Sequence, residues 1–316
     1  MTKILVVRND KLGDFVLALP SFAMLKYSIP NAQIHALVPE YTKELAEFCP
    51  YIDKVLLDNL SFFRLVKTLQ QFDTIIVLFS SSRIAWASWL AQIPIRVAPA
   101  TKIWQFLFNH RLVQRRSKSL KPEFEYNLDL IRHFLNLKHI KHKFGQTPFI
   151  KIPKDKKSPT TVIIHPGSGG SANNLSLSQY AQLADLLKQC QPKLKLVISA
   201  GPDELSIANK LSKNISAANQ VFLSTKGLVE YCRIINQAYL FIGGSTGALH
   251  LAAALNLNTV AFYPNRRSAT ALRWQTLNKN RLSFSPPQGS DDMQTIDIAK
   301  VAKKICQVFL KGDATL

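Results

Sequence analysis

The sequence predicts an α/β fold in which two Rossmann-like domains face each other across a cleft, and three observations predict it. Short apolar runs rich in Val and Ile alternate with longer stretches of helical period, which is typical of a parallel sheet covered by helices on both faces. This alternation stops at a polar stretch with two prolines, residues 151–160, and then begins again. The 316 residues, 47% of them apolar, suffice for two domains of about 150 residues with separate cores.

In the first domain, residues 1–152, the predicted strands are short apolar runs separated by helical patterns. They are Ile4–Val7, Gln33–Val38, Lys54–Leu57 and Thr74–Phe79. Helical periodicity predicts helices over Phe15–Tyr27 and Glu123–Leu137. After Arg96 the alternation is less regular, because basic and aromatic residues interleave there.

The second domain, residues 160–296, repeats the pattern. Its predicted strands are Thr161–Ile164, Lys195–Ser199, Gln220–Leu223, Tyr239–Ile242 and Thr259–Phe262. Its predicted helices are Leu177–Cys190, Glu204–Lys213, Leu228–Gln237 and Thr246–Leu255. A final helix is predicted over Asp297–Leu310, and the segment 297–316 is a candidate to pack back onto the first domain. Two sheets of this kind are expected to bind a ligand between their carboxyl ends.

The chain is basic along its whole length, with 40 Lys and Arg against 20 Asp and Glu and a formal net charge of +20. The densest stretch, residues 96–143, holds eleven basic and three acidic side chains. Such a surface predicts an anionic partner, which could be nucleic acid, anionic lipid or a phosphorylated glycan; a generic basic surface is the alternative. The absence of nucleic-acid recognition motifs argues against nucleic acid.

The four cysteines, at positions 49, 190, 232 and 306, are far apart and form no CxxC pair or Cys/His cluster. Their spacing predicts buried, reduced thiols and no metal site. The chain runs directly into its first predicted strand, so we expect no signal peptide. It also contains no apolar run near the roughly 18 residues that a transmembrane helix needs. We therefore expect a cytoplasmic protein that can contact a membrane surface peripherally.

The first motif is R-N-D-K-L-G-D-F, Arg8–Phe15, directly after the first predicted strand. Gly13 permits a tight turn from strand to helix, and Asp14 falls at the start of the helix. A carboxylate there either caps the helix or serves as a general base that faces the ligand site. Lys11 is a candidate to bind an anionic substrate. The lack of a G-x-G-x-x-G pattern argues against dinucleotide binding by this half.

Two further motifs follow strands of the second half. H-P-G-S-G-G-S, His165–Ser171, offers free backbone N–H groups to a phosphate, with a flexible turn as the alternative. In G-G-S-T-G-A-L-H-L-A-A-A-L, Gly243–Leu255, Ser245 or Thr246 caps a helix whose positive end can hold a diphosphate. His250, one turn along, either reaches the ligand or is a packed histidine.

Two weaker candidates complete the set. Glu204, in the G-P-D-E segment after a predicted strand, either accepts hydrogen bonds from a ribose or caps its own helix. The pair Lys226 and Gly227 precedes another helix, and it is a candidate to line the same cleft.

In their order and spacing, D-K-L-G-D-F-V-L-A-L-P, H-P-G-S-G-G and G-S-T-G-A-L-H-L-A-A-A-L resemble glycosyltransferase family 9, the lipopolysaccharide heptosyltransferases. The resemblance covers essentially the whole chain. It implies the two-domain GT-B architecture and an inverting transfer of heptose from ADP-heptose to the lipopolysaccharide core, with no cofactor and no essential metal. It also implies a lipid-linked acceptor on the cytoplasmic face of the inner membrane.

The resemblance also implies roles for individual residues. Asp14 matches the general base that deprotonates the acceptor, with Lys11 and Gly13 beside it. The residues that match the donor-binding segments are Ser168, Gly169, Ser245, Thr246, Gly247 and His250. The stretch 96–143 would then hold the anionic acceptor near the membrane, where Trp104 and Phe106 either touch acyl chains or sugar rings or simply pack in the core.

The sequence departs from the family pattern at the donor site. Many members have Asp at the position of Ser245, and many have a Lys or Arg and a Trp at the positions of Asn173 and Leu175. The loss of a cation removes a group that stabilises a leaving diphosphate, unless Lys226, Arg266 or Arg267 replaces it. Two alternatives are open, a nucleotide-sugar epimerase of similar fold and a non-catalytic protein that binds an anionic glycan, and these changes favour the second of them.

Overall fold

A computed structural model of the chain describes residues 2–136, 148–153, 158–168 and 173–310. Residue contacts divide the chain into two compact units, unit 1 from Met1 to Lys151 and unit 2 from Ile152 to Leu316. The division falls within the polar stretch 151–160, of which residues 154–157 lie outside the described part. Among the described residues, no helix is both long and apolar enough to cross a membrane.

Unit 1 is built on a six-stranded parallel sheet with the strand order β3-β2-β1-β4-β5-β6. The strands are β1 (Lys3–Val7), β2 (Gln33–Val38), β3 (Lys54–Leu57), β4 (Thr74–Val77), β5 (Ile95–Pro99) and β6 (His110–Leu112). The helices are α1 (Leu12–Val16), α2 (Leu19–Ser28), α3 (Lys43–Glu47), α4 (Phe62–Leu69), α5 (Ser82–Leu90) and α6 (Glu123–Phe134). The central strands β1 and β4 are almost wholly buried, as continuous apolar runs in a sheet covered on both faces must be.

One expectation for unit 1 was wrong. The helix predicted over Phe15–Tyr27 is two helices, α1 and α2, and Pro20 lies in the first turn of α2. Proline lacks the N–H that a helix interior needs, so α1 cannot continue through it. The structure also adds β5 and β6 in the basic and aromatic region after Arg96, where side-chain alternation gave no clear signal.

Unit 2 has a second six-stranded parallel sheet with the order β12-β11-β10-β7-β8-β9. The strands are β7 (Thr161–His165), β8 (Lys195–Ala200), β9 (Asn219–Leu223), β10 (Leu240–Gly244), β11 (Asn258–Phe262) and β12 (Arg281–Phe284). The helices are α7 (Leu177–Cys190), α8 (Leu205–Asn214), α9 (Gly227–Asn236), α10 (Gly247–Ala254) and α11 (Ile298–Ile305). The strand β12 was not predicted, because it is short and only partly buried.

The predicted final helix is α11 followed by one π-helical turn, Cys306–Leu310. Its buried positions recur every three or four residues, and they pack on α7 within the core of unit 2. Packing of this helix on the first domain stays a prediction.

The contact between α11 and α7 corrects the prediction that all four thiols are reduced. The end of α7 and the end of α11 meet, and a disulfide joins Cys190 to Cys306. These cysteines are 116 residues apart, so their spacing in the sequence gave no sign of the pair. Cys49 and Cys232 are free and buried, as predicted.

The two sheets share one topology, in which the chain builds outward on one side of a central strand and then on the other. The strand order reverses between β1 and β4 in unit 1 and between β7 and β10 in unit 2. Open α/β sheets bind ligands at the carboxyl ends of the strands at such switch points. The loops after β1, β7 and β10 carry the three motifs, so all three lie where the topology favours a site.

Candidate active site

The loop after β1 holds a buried guanidinium. Arg8 follows the strand directly and is almost completely buried. Its Nε and Nη2 atoms donate to the two carboxylate oxygens of Asp10 at 2.7 and 2.9 Å. Nη2 also donates to Asp14 Oδ1 at 2.6 Å, and Nη1 donates to Asn127 Oδ1 at 3.1 Å. The buried charge is therefore paired and hydrogen-bonded, as such a charge must be to persist in a folded protein.

Helix α6 supports this cluster from the other side. Glu123 Oε1 accepts a hydrogen bond from Arg116 Nη1 at 2.5 Å and lies 3.9 Å from Arg8 Nη1. Asn127, one helical turn further on, donates from Nδ2 to the carbonyl oxygen of Leu17 at 3.2 Å. Residues four apart share one face of a helix, so this face of α6 fixes both Arg8 and the end of α1.

The Asp14 carboxyl has a perturbed proton affinity. Burial raises its pKa to about 6; Arg8 opposes that shift, while the charges of Asp10 and Glu123 add to it. The side chain is still 14% exposed, so solvent reaches it. A carboxyl with this pKa is mostly ionised at neutral pH and is a stronger base than an ordinary aspartate, which suits it to proton abstraction.

The structure argues against one of the two interpretations of Asp14. Helix α1 begins at Leu12, its N-cap is Lys11, and no side chain caps it. Asp14 lies within the helix and binds Arg8, so the capping interpretation was wrong. Gly13 also lies within α1 and not in a turn, and its carbonyl oxygen accepts from Leu17 N at 3.0 Å. The Lys11 side chain is exposed at the start of this helix.

In unit 2, Asn174 organises the loop after β7. Its Nδ2 donates to the carbonyl oxygens of Pro166 and Gly167, and its Oδ1 accepts from Leu175 N and from the Tyr180 hydroxyl. A Cβ on Gly244, at the end of β10, would overlap the Asn174 amide. The glycine therefore lets the β7 and β10 loops approach each other closely. Ser168 is half-buried in this loop, and Gly169 lies outside the described residues.

A second contact at this edge joins β7 to β8. The Nε2 atom of buried His165 lies 3.5 Å from Glu204 Oε2, and its Nδ1 lies 3.1 Å from Ser199 Oγ. Burial lowers the pKa of His165, although Glu204 opposes the shift. Glu204 Oε2 also accepts from Gly201 N at 2.9 Å. Glu204 thus closes the turn in front of α8 and contacts the β7 loop, where a Cβ on Gly167 would overlap its carboxylate.

Helix α10 begins at the central switch point. Thr246 is the N-cap, and its hydroxyl accepts from Leu249 N at 3.3 Å. The first-turn N–H groups of a helix, which begin here with Gly247, have no partners within the helix, and the helix dipole makes this end positive. Ser245 precedes the cap and is half-buried. The arrangement favours an anion at this end of the helix.

His250 is buried one turn into α10 and packs 6.4 Å from the Trp274 ring. Burial lowers its pKa to about 4, so the imidazole is neutral at physiological pH. In the part of the chain that the structure describes, His250 Nδ1 has no hydrogen-bond partner. A buried ring nitrogen without a partner is a cost to stability that a bound hydroxyl or phosphate oxygen could remove.

The remaining candidates lie at the same sheet edge. Gly227 begins α9 after β9, and its φ of 84° is one that glycine adopts without strain. Its neighbour Lys226 is exposed. Asn173 is exposed and Leu175 is buried in the core. No group of three His, Cys, Asp or Glu side chains within the described ranges could hold a metal ion.

Sequence reasoning missed Arg8, Asp10, Asn127 and Asn174 as site residues. A charged residue directly after a fully apolar strand was a usable signal for Arg8. For Asn127 there was none, because its partner Arg8 is 119 residues away in the chain.

Two parallel sheets, with a buried carboxylate at one switch point and a helix N-terminus at the other, match the architecture of glycosyltransferases built from two Rossmann-like domains. The chain belongs to glycosyltransferase family 9 (heptosyltransferase), whose model matches residues 62–297.

Comparisons with individual proteins agree with this family assignment. The chain is 40% identical to a protein of Haemophilus influenzae named as a glycosyltransferase, over 98% of this chain and 96% of that one. It is 26% identical to lipooligosaccharide heptosyltransferase 2 of Campylobacter jejuni, over 87% of this chain and 85% of that one. Its fold matches E. coli ADP-heptose lps heptosyltransferase II with a TM-score of 0.82 at 19% identity, over 99% of this chain and 100% of that one. The chain is therefore a glycosyltransferase, which decides against an epimerase or a non-catalytic binder.

Proposed function

We propose that this enzyme transfers heptose from ADP-heptose to a lipopolysaccharide core or a related surface glycan, with inversion at the sugar carbon and without an essential metal. The Campylobacter and E. coli relatives, named for heptose transfer, support this donor and acceptor class. The observation that carries the proposal is the buried Asp14 carboxyl, which Arg8 orients at the switch point of unit 1 and whose pKa is about 6.

In unit 1, Asp14 is the general base. Its ionised carboxylate accepts the proton of the attacking acceptor hydroxyl, and Arg8 keeps the carboxylate in one orientation. Lys11, the N-cap residue of α1, and Gly13 within α1 border the acceptor. A cation at Lys11 suits an acceptor that carries phosphate or carboxylate groups.

In unit 2, the end of α10 and the β7 loop hold the donor. The diphosphate lies at the first-turn N–H groups near Thr246 and Gly247, with Ser168 and Gly169 beside it. Ser245 and the neutral His250 bind hydroxyl or phosphate oxygens. Further donor contacts come from the loops after β8 and β9, through Glu204 and Gly227.

Transfer is a single displacement at the anomeric carbon of the donor. The acceptor oxygen gives its proton to Asp14 and forms a bond to the anomeric carbon from the face opposite the leaving group. The bond between that carbon and the diphosphate oxygen breaks, and the electron pair leaves with the nucleoside diphosphate. The positive end of α10 stabilises the negative charge that develops there, which is the form of electrostatic stabilisation that a metal would otherwise supply.

The departures from the family pattern make the donor sugar the point to test. Ser245 offers a hydroxyl where a carboxylate would form a stronger, charge-assisted hydrogen bond to the sugar. Asn173 offers no cation to the diphosphate. Both changes weaken donor binding without altering the chemistry at Asp14, so a different nucleotide sugar is the alternative within the same reaction.

A mass-spectrometric transfer assay tests the proposal. The purified enzyme is incubated with EDTA, a truncated lipopolysaccharide acceptor and a panel of nucleotide sugars that includes ADP-heptose. We expect the acceptor to gain the mass of one heptose from ADP-heptose alone. A mass gain from another donor would overturn the heptose assignment and keep the reaction. No gain from any donor, with the enzyme folded and a family 9 enzyme active in the same mixture, would overturn the proposed acceptor.

A further inference from the structure

Six large apolar side chains are exposed on three neighbouring elements of unit 1. They are Phe63 on α4, Trp86, Trp89 and Leu90 on α5, and Ile103 and Phe106 on the 3₁₀ segment Ile103–Leu107; we refer to them as the aromatic surface. Their exposed fractions run from 44% to 84%. Because α4 packs on α5 and α5 packs on the 3₁₀ segment, these side chains belong to adjoining elements.

These side chains are surplus to the core. The opposite faces of α4 and α5 are already buried, through residues such as Leu65 and Ile84. In the 3₁₀ segment, Trp104 packs toward the same core and donates from Nε1 to Ser80 Oγ at 2.9 Å, which decides its interpretation in favour of packing. Among the described residues, every exposed Phe, Trp and Tyr lies in unit 1. Large apolar side chains gathered in this way mark an interaction surface.

The segment that carries most of the aromatic surface is basic, although three of its cations, Arg83, Arg116 and Lys121, pair with Asp58, Glu123 and Asp129. Residues 74–122, which include α5 and the 3₁₀ segment, contain eight Lys and Arg and no Asp or Glu. Arg111 lies over the Phe106 ring at 5.4 Å, and Lys102 lies over the rings of Phe79 and Trp104 at 5.1 and 5.2 Å. Arg64 and Lys67 are exposed on α4 beside Phe63. Cations with apolar stems among Trp and Phe are typical of the interface of an anionic bilayer.

We propose that the aromatic surface docks on an anionic phospholipid bilayer, with Trp86, Trp89 and Phe106 in the interfacial layer and the surrounding cations at the headgroups. A second copy of this chain is a poorer occupant, since a symmetric contact would bring each basic segment against its own copy. The argument for docking stands on the surface itself; its consequence for the acceptor rests on the proposed function.

That consequence follows from the topology. The 3₁₀ segment begins after the carboxyl end of β5, and Lys102 Nζ donates to the carbonyl oxygen of Ser80, which follows the carboxyl end of β4. Strand β4 neighbours β1, whose carboxyl end leads to Arg8 and Asp14. The 3₁₀ segment of the aromatic surface thus adjoins the sheet edge that holds Asp14, and docking brings this edge toward acceptors embedded in the bilayer.

Vesicle flotation tests the proposal with the full-length enzyme. Vesicles of phosphatidylcholine alone are compared with vesicles that also contain phosphatidylglycerol, at low and high salt. We expect the enzyme to float only with the anionic vesicles and to be released by salt. The double variant W86S/W89S is expected to lose about tenfold or more in vesicle affinity, because both side chains are exposed anchors. The control Y27S removes an exposed aromatic ring elsewhere in unit 1 and should float like the wild type.

Melting curves establish that both variants are folded. Wild-type enzyme that ignores anionic vesicles, or W86S/W89S that floats as well as wild type, would overturn the docking surface. So would a wild-type dimer that W86S/W89S converts to a monomer with no vesicle binding in either protein. Transfer to a water-soluble, delipidated acceptor separates the two proposals. Unchanged transfer in W86S/W89S with lost vesicle binding supports docking, whereas no transfer by the wild type contradicts only the proposed function.

Discussion

The loops at the switch points of the two sheets occupy the same place in the same topology, yet they carry different chemistry. In unit 1 the groups are charged and paired: Arg8 binds Asp10 and Asp14, and Glu123 lies close by. In unit 2 the groups of the β7 loop and the start of α10 are neutral or belong to the backbone: the Asn174 amide, the Thr246 hydroxyl, first-turn N–H groups and an uncharged His250. The Glu204 carboxylate beside them comes from the β8 loop. On the proposed function, the edge in unit 1 holds and moves a proton, and the edge in unit 2 holds an anion.

The difference teaches that the fold supplies the position while the loops supply the reaction. A base needs a pKa near the working pH, and in unit 1 burial and neighbouring charges raise that of Asp14 to about 6. A diphosphate site needs oriented hydrogen-bond donors whose charge does not change near neutral pH. In unit 2 burial lowers the pKa of His250 to about 4, so this side chain stays neutral there. If this comparison is correct, changes at the first edge affect turnover, and changes at the second affect donor binding.

The largest expected effect is that of Asp14→Asn. The amide keeps the shape of the side chain and cannot take a proton, so we expect kcat to fall by about 10² to 10⁴-fold. The affinity for the nucleotide sugar, measured by calorimetry, should stay within about twofold because the proposed donor site lies on unit 2.

Asp129→Asn is the matched control, since it removes a carboxylate that pairs with Lys121 and Arg132 on the same unit. Its turnover should equal that of the wild type. If Asp14→Asn lost donor affinity and turnover together, the division of labour between the two edges would be wrong.

The next effect distinguishes two adjacent asparagines in unit 2. Asn174→Ala removes the acceptor of the Tyr180 hydroxyl and the donor to the Pro166 carbonyl oxygen. We therefore expect the free energy of unfolding to fall by about 1–3 kcal/mol. We also expect the donor KM to rise roughly tenfold or more, because the β7 loop loses its support. Asn173→Ala changes an exposed neighbour and should alter neither quantity measurably. Steady-state kinetics and urea unfolding provide the measurements. Equal effects of the two substitutions would show that Asn174 does not organise the loop.

This pair of residues also shows where sequence reasoning ends. Nothing in N-N-L-S separates Asn174 from Asn173, because the difference lies in contacts with Gly244 and Tyr180 that only the folded sheet creates. By contrast, the periodicity of apolar residues predicted both ends of α7 correctly. A capping box marks the first residue of this helix, and its apolar stripe continues to the last turn.

The same reasoning applies to unit 1. The motif after β1 identified Asp14 as a candidate base, because a carboxylate after a buried strand is informative by itself. It could not supply the pKa, which depends on Arg8 and on Glu123 of α6. Strands β5 and β6 escaped prediction because Arg96 and Pro99 lie within β5 and the three-residue β6 is too short for alternation to show.

A smaller effect is expected from His250→Phe. The substitution keeps a ring of similar size and removes the unpaired Nδ1, so donor affinity should fall about five- to tenfold, the value of one hydrogen bond from a buried group. Because His250 is neutral, the donor affinity of the wild type should not vary between about pH 5 and 8.

His35→Phe is the matched control. His35 is also buried with an unpaired Nδ1 among the described residues, and burial lowers its pKa as well, but it lies in β2 of unit 1 and packs on Phe72. Calorimetry should show wild-type donor affinity for this variant. A donor affinity that stayed at the wild-type value in His250→Phe would remove His250 from the donor site.

The smallest effect is a shift in the pH dependence of transfer. The wild-type kcat/KM should rise with an apparent pKa of about 6, because Asp14 must be ionised to accept the proton. The Glu123 charge raises the pKa of Asp14, since like charges disfavour ionisation. Glu123→Gln should therefore lower that pKa and extend activity to more acidic pH, whereas Asp129→Asn should leave the profile in place. A profile that moved toward higher pH in Glu123→Gln would mean that Glu123 acts on Asp14 by fixing Arg8 and Arg116 and not by its charge.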